Sequence, residues 1–372
     1  MHPTDLLLAT LRLGGDVAPE GLRAAWRALP ATGLDRLIQF EGCELWLHRR
    51  LAQIGAVEPG GAPFTGWLAQ RARDTAARNL LVDAQTVDVL RVLTAHEVPH
   101  VLLKGTARRA LAPRLPFADA RATHDVDVLV PAARAEEAWL RLCAAGYELV
   151  RPKGAIRPGH FHLPPLWNTA RVAVELHTST GPLVSSAEAW RRATAGGCVL
   201  EWHGVRVHVP AVTELLWHAL THAVRHRAAT FRLHFLLDGT AILAAGVALD
   251  WEAIACRLGT TEAAPVAVAH AWLGAAAELA GVPLPRAVCG SEVRFELARA
   301  LRWHQSVLRV LPPTGGLADV LAAEGARLEL GAEWGSAPRP TSPLHLGARQ
   351  VRAAAARGAY RVWRARGAEP RG

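Results

Sequence analysis

The pattern of apolar and polar positions divides the chain into helical ends and an alternating middle. Residues 1–95 carry apolar side chains at helical spacing. One helix is predicted over 19–29, where Pro19 and Glu20 make a good first turn. A second covers 34–54, with Leu37, Ile38, Leu45, Leu47 and Leu51 on its inner side. The Pro/Gly cluster at 58–63 breaks the pattern as a loop. Residues 67–96 then predict one or two long helices, with Leu80, Leu81, Val87, Leu90 and Leu93 as the apolar stripe. Arg71, Arg73 and Arg78 lie on this segment, either as a solvated face or as a face turned to an anionic ligand.

Between 97 and 210 the period changes. Strands are predicted over 99–103, 124–130, 147–150 and 171–177, and helices over 106–111 and 131–145. Gly146 is a normal helix terminator. Residues 151–166, rich in Pro, Gly, Arg and His, read as a loop or irregular hairpin. Trp190 falls in a short helix, and 199–209 is a hairpin turning at His203-Gly204. From 211 the pattern returns to helix, with Trp217, Leu220, Leu236, Leu237 and Ile242 as core and further helices over 251–258 and 297–311. The apolar stretch 263–284 is interrupted by Pro265, His270 and Glu278, which favours a buried helix over a membrane span. The expected fold is α/β (α+β). Helical regions at 1–95 and 211–314 flank a small mixed sheet at 96–210, and a Gly/Pro linker with a basic helical tail fills 315–372.

Composition alters this picture in three places. Only two of the 372 residues are lysine, Lys104 and Lys153, against forty arginines. A compact ammonium at 104 therefore stands out, because the two cations behave differently at phosphates and carboxylates. The net charge of +9 is spread, with seven arginines and one acid in 347–372. That tail is either a solvated basic face or a contact for nucleic acid or an acidic partner. Five scattered cysteines without a CxxC pair suit reduced thiols in the cytoplasm. An acid, Asp5, inside the only apolar run of the N-terminus argues against a signal peptide.

The candidate chemistry lies between 101 and 130. Asp125 and Asp127 are two apart on a predicted strand, so both carboxylates leave one face while Val126, Val128 and Val130 leave the other. Adjacent carboxylates repel, and a hard divalent cation between them relieves that repulsion. Upstream, the apolar run 101–103 stops at Lys104-Gly105-Thr106, where a helix begins. A strand–glycine–helix turn aims backbone N–H groups at an anion such as phosphate. A metal site beside a phosphate site points to nucleotidyl or phosphoryl transfer.

These residues resemble the polymerase-beta-like nucleotidyltransferase superfamily, and more closely a bacterial branch of uncharacterised nucleotidyltransferases. The segments that carry the resemblance are Leu103-Lys104-Gly105-Thr106, Arg121 through Asp125-Val126-Asp127 to Val130, Gly146-Tyr147, and Val174-Glu175-Leu176-His177. It covers about half the chain. It implies a nucleotidyltransferase palm that moves a nucleoside monophosphate from an NTP, such as ATP, to a small-molecule or protein acceptor. Two Mg²⁺ ions, or Mn²⁺, are implied on Asp125, Asp127 and Glu175, with Glu175 nearer the acceptor and able to help deprotonate it. Gly105 and Thr106 would cradle the triphosphate. Lys104 and Arg121 would either neutralise it or pair with an aspartate. Two departures stand out: Thr106 replaces the usual small Ser or Gly, and Glu175 is one methylene longer than Asp. They leave room for an inactive nucleotide-binding or scaffold protein, and the basic charge for a transferase acting on nucleic acid.

Several histidines remain open. Alternation on 171–177 puts Ala173, Glu175 and His177 on one face, so His177 either orients Glu175 or caps the strand. His160 and His162, near Arg157, are either substrate contacts or exposed loop residues. His218, His222 and His226 share one helical face. That stripe is a zinc site, a polar face turned to the cleft, or a structural feature.

Overall fold

The computed structural model describes residues 2–14, 19–28, 34–56, 62–149, 161–225, 230–260, 266–289 and 301. The chain divides into two compact units, 1–314 and 315–372, and every described residue belongs to the first. The readings for the 151–160 loop, the linker and tail, His226 and most of the 297–311 helix fall outside the described residues.

The N-terminal part is helical: α1 (Pro3–Leu11), α2 (Pro19–Ala28), α3 (Leu34–Glu41), α4 (Glu44–Gln53) and α5 (Ala62–Ala95). Leu6, Leu7 and Leu11 of α1 are fully buried, and Trp26 of α2 donates to Thr10 Oγ1 at 2.8 Å. The single helix expected over 34–54 is two. Gly42 sits at φ 65°, a left-handed conformation that ends α3, and α4 starts afresh after Cys43.

Helix α5 corrects the predicted stripe. Val87, Leu90 and Leu93 are buried, whereas Leu80 and Leu81 are 62% and 50% exposed. The buried face between them carries Asn79, Asp83, Gln85 and Thr86 instead. Asn79 explains the exchange. Its Nδ2 donates to the carbonyls of Asp119 and Arg121, each at 3.0 Å, and its Oδ1 accepts from Thr123 N–H at 2.9 Å. Asp83 grips Arg109 through both carboxylate oxygens. A polar residue is stable on a buried face when its hydrogen bonds are made, and here those bonds pin the loop that leads into the acidic strand.

The middle of the chain holds β1 (Val101–Leu102), α6 (Lys104–Ala110), β2 (Asp125–Leu129), α7 (Ala135–Ala144), β3 (Glu148–Leu149), β4 (Leu166–Trp167), β5 (Ala173–His177), α8 (Ser186–Thr194), β6 (Cys198–Trp202) and β7 (Val205–Val209). Among the described residues the main sheet runs β1-β2-β5-β4-β3, and β6-β7 form a separate hairpin. β2 and β5 are parallel, and the other pairs of the sheet are antiparallel. The sheet is therefore mixed, as expected. Strand β4, read as the end of a loop or hairpin, pairs with β3 and β5. Val126, Val128, Val174 and Leu176 are buried together on one face, with α5 packed along β2 and α7 along β5.

The helices α9 (Val212–Arg225), α10 (Leu233–Ala244), α11 (Trp251–Leu258) and α12 (Val266–Ala280) complete the unit. α9 packs on α6, and α9, α10 and α12 pack on one another. This brings C-terminal side chains beside β2. No helix among the described residues is long and apolar enough to cross a membrane.

Contact between α10 and α12 depends on Gly239. A Cβ there would lie 2.5 Å from Cη2 of Trp272, which is fully buried. Gly239→Ala is expected to destabilise the protein by about 1–3 kcal/mol through overpacking, measured by denaturant unfolding. A Trp272→Phe background, with the outer ring removed, should recover part of that loss.

Candidate functional site

The register of the parallel pair assembles the site. Asp127 is the partner of Glu175, and Leu129 of His177, across β2 and β5. Side-chain alternation then puts Asp125, Asp127, Glu175 and His177 on the face opposite the valine layer. Asp127 is 1% exposed and His177 fully buried, while Asp125 and Glu175 are partly open. Three carboxylates have been brought to one patch of sheet, with their neighbours as the means of compensation.

Asp127 is the most heavily partnered of them. Lys104 Nζ donates to its Oδ1 at 2.6 Å, and His177 Nε2 donates to the same oxygen at 2.8 Å. Lys104 Nζ also lies 3.8 Å from Glu175 Oε2, and His177 Nε2 lies 3.4 Å from it. His162 Nε2 stands 3.8 Å from Glu175 on the outer side. Burial alone would raise the Asp127 carboxyl, but Lys104 and the His177 bond outweigh it and hold it well below the usual range. Burial and Lys104 disfavour the His177 imidazolium, and the bonds to Asp127 and Glu175 outweigh them, so its pKa is raised.

Asp125 has the opposite environment. The negative charge of Asp127, followed by burial, pushes its carboxyl up to about 7. Asp127 Oδ2, buried and without a hydrogen-bond partner, completes that side. Two hard oxygen donors short of positive charge fit a divalent cation such as Mg²⁺ or Mn²⁺. Among the described residues, the His/Asp/Glu group with ligand atoms within 4.8 Å of one another is Asp127, Glu175 and His177. Asp125 and Asp127 line the cleft, whereas Glu175 and His177 do not, and Asp125 lies outside that group.

The turn at Lys104–Thr106 is tightly built. Lys104 sits at φ 44°, a left-handed conformation that costs energy for a non-glycine residue. Leu103 N–H bonds Asp127 O at 3.0 Å, and Thr106 Oγ1 donates to Leu103 O at 2.8 Å. Thr106 is fully buried and does not line the cleft, so its hydroxyl locks the turn to β2. A Cβ on Gly105 would fall 2.6 Å from Thr123 Cγ2, so glycine is required there for close packing.

The cleft has a volume of ≈ 410 Å³. Lys104, Gly105, Asp125 and Asp127 form one wall, and α9 and α10 supply the other. Arg108 Nη2 and Arg121 Nε stand 2.9 and 2.8 Å from the same oxygen, Asp238 Oδ1, in ion-pair contact off the hydrogen-bond direction. Burial lowers Arg108 to about 10, partly offset by Asp238, so it stays charged at neutral pH. Arg121 thus pairs with an aspartate of α10 rather than of β2, and also donates to the carbonyls of Ala122 and His234.

His218 and His222 of the predicted stripe both line the cleft, as do His124, His234 and Arg232. The rings of His218 and His222 are 6.4 Å apart, and the described part of the stripe forms no metal-binding group. Burial, then Lys104, pushes His218 well below its usual range, and its Nε2 has no hydrogen-bond partner. Arg71 pairs with Asp74 on its own helix and with Glu44 of α4 at 3.8 Å, Arg73 bonds Gln70, and Arg78 reaches the carbonyl of His124 at 3.2 Å. Arg108 and Asp238 were missed by sequence reasoning. The available signal was an Asp inside the apolar run Leu233–Ala244, a charge in need of a partner.

Asp125 gives a pH prediction. Its folded pKa lies above the unfolded value, so the folded state holds the proton more tightly between roughly pH 4 and 7. Stability from this group is present at low pH and declines as pH rises through that window. Asp125→Asn is therefore expected to gain about 1–3 kcal/mol relative to wild type between pH 4 and 8 without divalent ions. Urea melts across that range measure it, and a pH-independent difference contradicts it.

Comparison with known proteins follows this geometry. A family profile described as uncharacterised nucleotidyltransferase matches residues 31–276. A solved structure, an antigenic nucleotidyltransferase-like protein from Paracoccidioides brasiliensis, is similar with a TM-score of 0.36 and 16% identity, over 58% of this chain and 96% of that one. No curated protein matches the chain. The profile spans well over half the sequence and includes every acidic and basic residue named in the cleft, so the chain belongs to the family of uncharacterised nucleotidyltransferases.

Proposed function

We propose that this protein is a metal-dependent transferase that moves a nucleoside monophosphate from an NTP to a small-molecule or protein acceptor. The observation that carries this reading is the pairing of Asp127 with Glu175 across parallel strands, beside Asp125 and a cleft walled by cations. Asp125 and Asp127 would hold the divalent ion, which supplies charge stabilisation at the reacting phosphate.

The remaining work belongs to the chain. In the reaction an acceptor oxygen or nitrogen forms a bond to the α-phosphorus, the bond to the bridging oxygen of the β-phosphate breaks, and pyrophosphate leaves. Arg108 and Arg121, fixed by Asp238, place positive charge where the departing phosphates accumulate negative charge. The Lys104–Gly105 backbone forms the floor of the same cleft. Glu175, partly open and flanked by His162 and His177, takes the proton lost by the acceptor. Its lowered pKa keeps it ionised at neutral pH, because the His177 bond and Lys104 outweigh burial.

Incubation of the full chain with α-labelled triphosphates, Mg²⁺ and a cell extract should label a discrete acceptor. Glu175→Gln is expected to slow labelling by about 10²–10⁴-fold while thermal unfolding stays close to wild type. Label transfer that is absent under all four triphosphates, or unchanged in Glu175→Gln and Asp127→Asn, removes the assignment.

A further inference from the structure

Lys104 occupies a particular place in the acid cluster. Its ammonium lies between Asp127 Oδ1 at 2.6 Å and Glu175 Oε2 at 3.8 Å. These two carboxylates, adjacent in register on β2 and β5, are a pair that a cation on the acceptor side would bridge. The Lys104 side chain is 15% exposed and projects from a backbone held at φ 44°. The turn is tied down by Leu103 N–H and by the Thr106 hydroxyl, so the lysine is presented to that position by fixed structure. His177 Nε2 donates to the same Asp127 oxygen. Oδ1 of Asp127 is thus doubly engaged, while Oδ2 is buried without a hydrogen-bond partner and Asp125 is near enough for the Asp127 charge to act on it.

We propose that the Lys104 ammonium stands permanently in the place of a second metal ion, and that this protein binds a single divalent cation, at Asp125 and Asp127 Oδ2. The proposal rests on the metal-dependent reading of the site. Charge supports it. Two divalent ions together with the Lys104 ammonium would exceed the charge of Asp125, Asp127 and Glu175, whereas one divalent ion with the ammonium balances these three acids when His177 is neutral. An ammonium cannot polarise an acceptor hydroxyl as a bound metal does, so deprotonation falls to Glu175. Lysine suits this place because its ammonium is a compact point charge, as a metal ion is, whereas a guanidinium is a planar fork.

The test counts ions on the full-length protein, using Mn²⁺ followed by calorimetry and by the loss of the free-ion electron paramagnetic resonance signal. Wild type is expected to bind one Mn²⁺ per chain, and Asp125→Asn none. Lys104→Met, which keeps the length and removes the charge, is expected to bind two. Two ions on wild type, or one on both wild type and Lys104→Met, overturn the inference and leave the transferase reading standing. No Mn²⁺ on wild type, alone or with a non-hydrolysable triphosphate, overturns both. A second measurement covers a Lys104→Met protein that does not fold. Lys104 and Lys153 are the chain's two lysines, so acylation by an amine reagent can be read at each by mass spectrometry. Lys104 labelling relative to Lys153 is expected to stay low with and without Mn²⁺. A rise on adding Mn²⁺ means that the ion displaces the ammonium, and overturns the inference.

Discussion

The structure depends on keeping one ionised carboxylate, Asp127, in the middle of a sheet. Removing a charge from water costs several kcal/mol unless opposite charge and hydrogen bonds replace the solvent. Here they come from two elements, Lys104 at the start of α6 and His177 on the neighbouring strand. Each depends on a local conformation. Lys104 reaches because its backbone is held left-handed, and His177 reaches because β5 runs parallel to β2 in a register that sets it one step past Glu175. A slip of one residue in that register would turn the acids into the valine layer. Sheet pairing and site assembly are therefore the same event.

Compensation is deliberately incomplete. Asp127 is satisfied at Oδ1, while its Oδ2 has no hydrogen-bond partner and Asp125, which lines the cleft, has too little positive charge around it. Across the cleft the imbalance reverses, with Arg108 and Arg121 sharing one Asp238 oxygen and Arg232 nearby. Such a cavity has an acidic wall that wants a cation and a basic wall that wants an anion. A metal-bound polyphosphate carries both signs in that order. Preorganised charge of this kind exerts its effect without moving, which makes it valuable when charge shifts during a reaction.

How much of this was legible in the sequence follows from the range of the interactions. The acidic strand, the glycine turn and the third acid could be found because alternation on a strand is local, and the helical ends because their apolar spacing is. The break at Gly42 was missed because the apolar spacing carries on across it while the backbone reverses hand. Leu80 and Leu81 were misplaced for a different reason. An apolar stripe was assumed to mark the buried face, but that face is held by Asn79 and Asp83, whose partners lie far along the chain. The partner of Arg121 was equally invisible. Spacing within one segment holds no information about an aspartate on α10. The described His218 and His222 took the place of a polar wall, one of the readings that the pattern left open.

These long-range polar contacts explain why the helical ends are needed at all. A two-strand register can align carboxylates, but it cannot close a cleft over them. Helix α5 fixes the approach to β2 by spending buried positions on Asn79 and Asp83, which contribute less hydrophobic stabilisation than leucines would. Helix α10 does the same with Asp238 in an otherwise apolar segment, and Gly239 beside it lets that helix approach Trp272 closely enough to hold the aspartate in place. In both cases a polar residue sits where core packing alone would select an apolar one, and in both it orients a residue that lines the cleft or leads into it. Departures from local consistency of this sort concentrate where a protein trades stability for a site. Their distribution here, Asn79 and Asp83 on one flanking region and Asp238 on the other, indicates that the N-terminal and C-terminal helices are parts of the site's construction rather than appendages to a self-sufficient sheet.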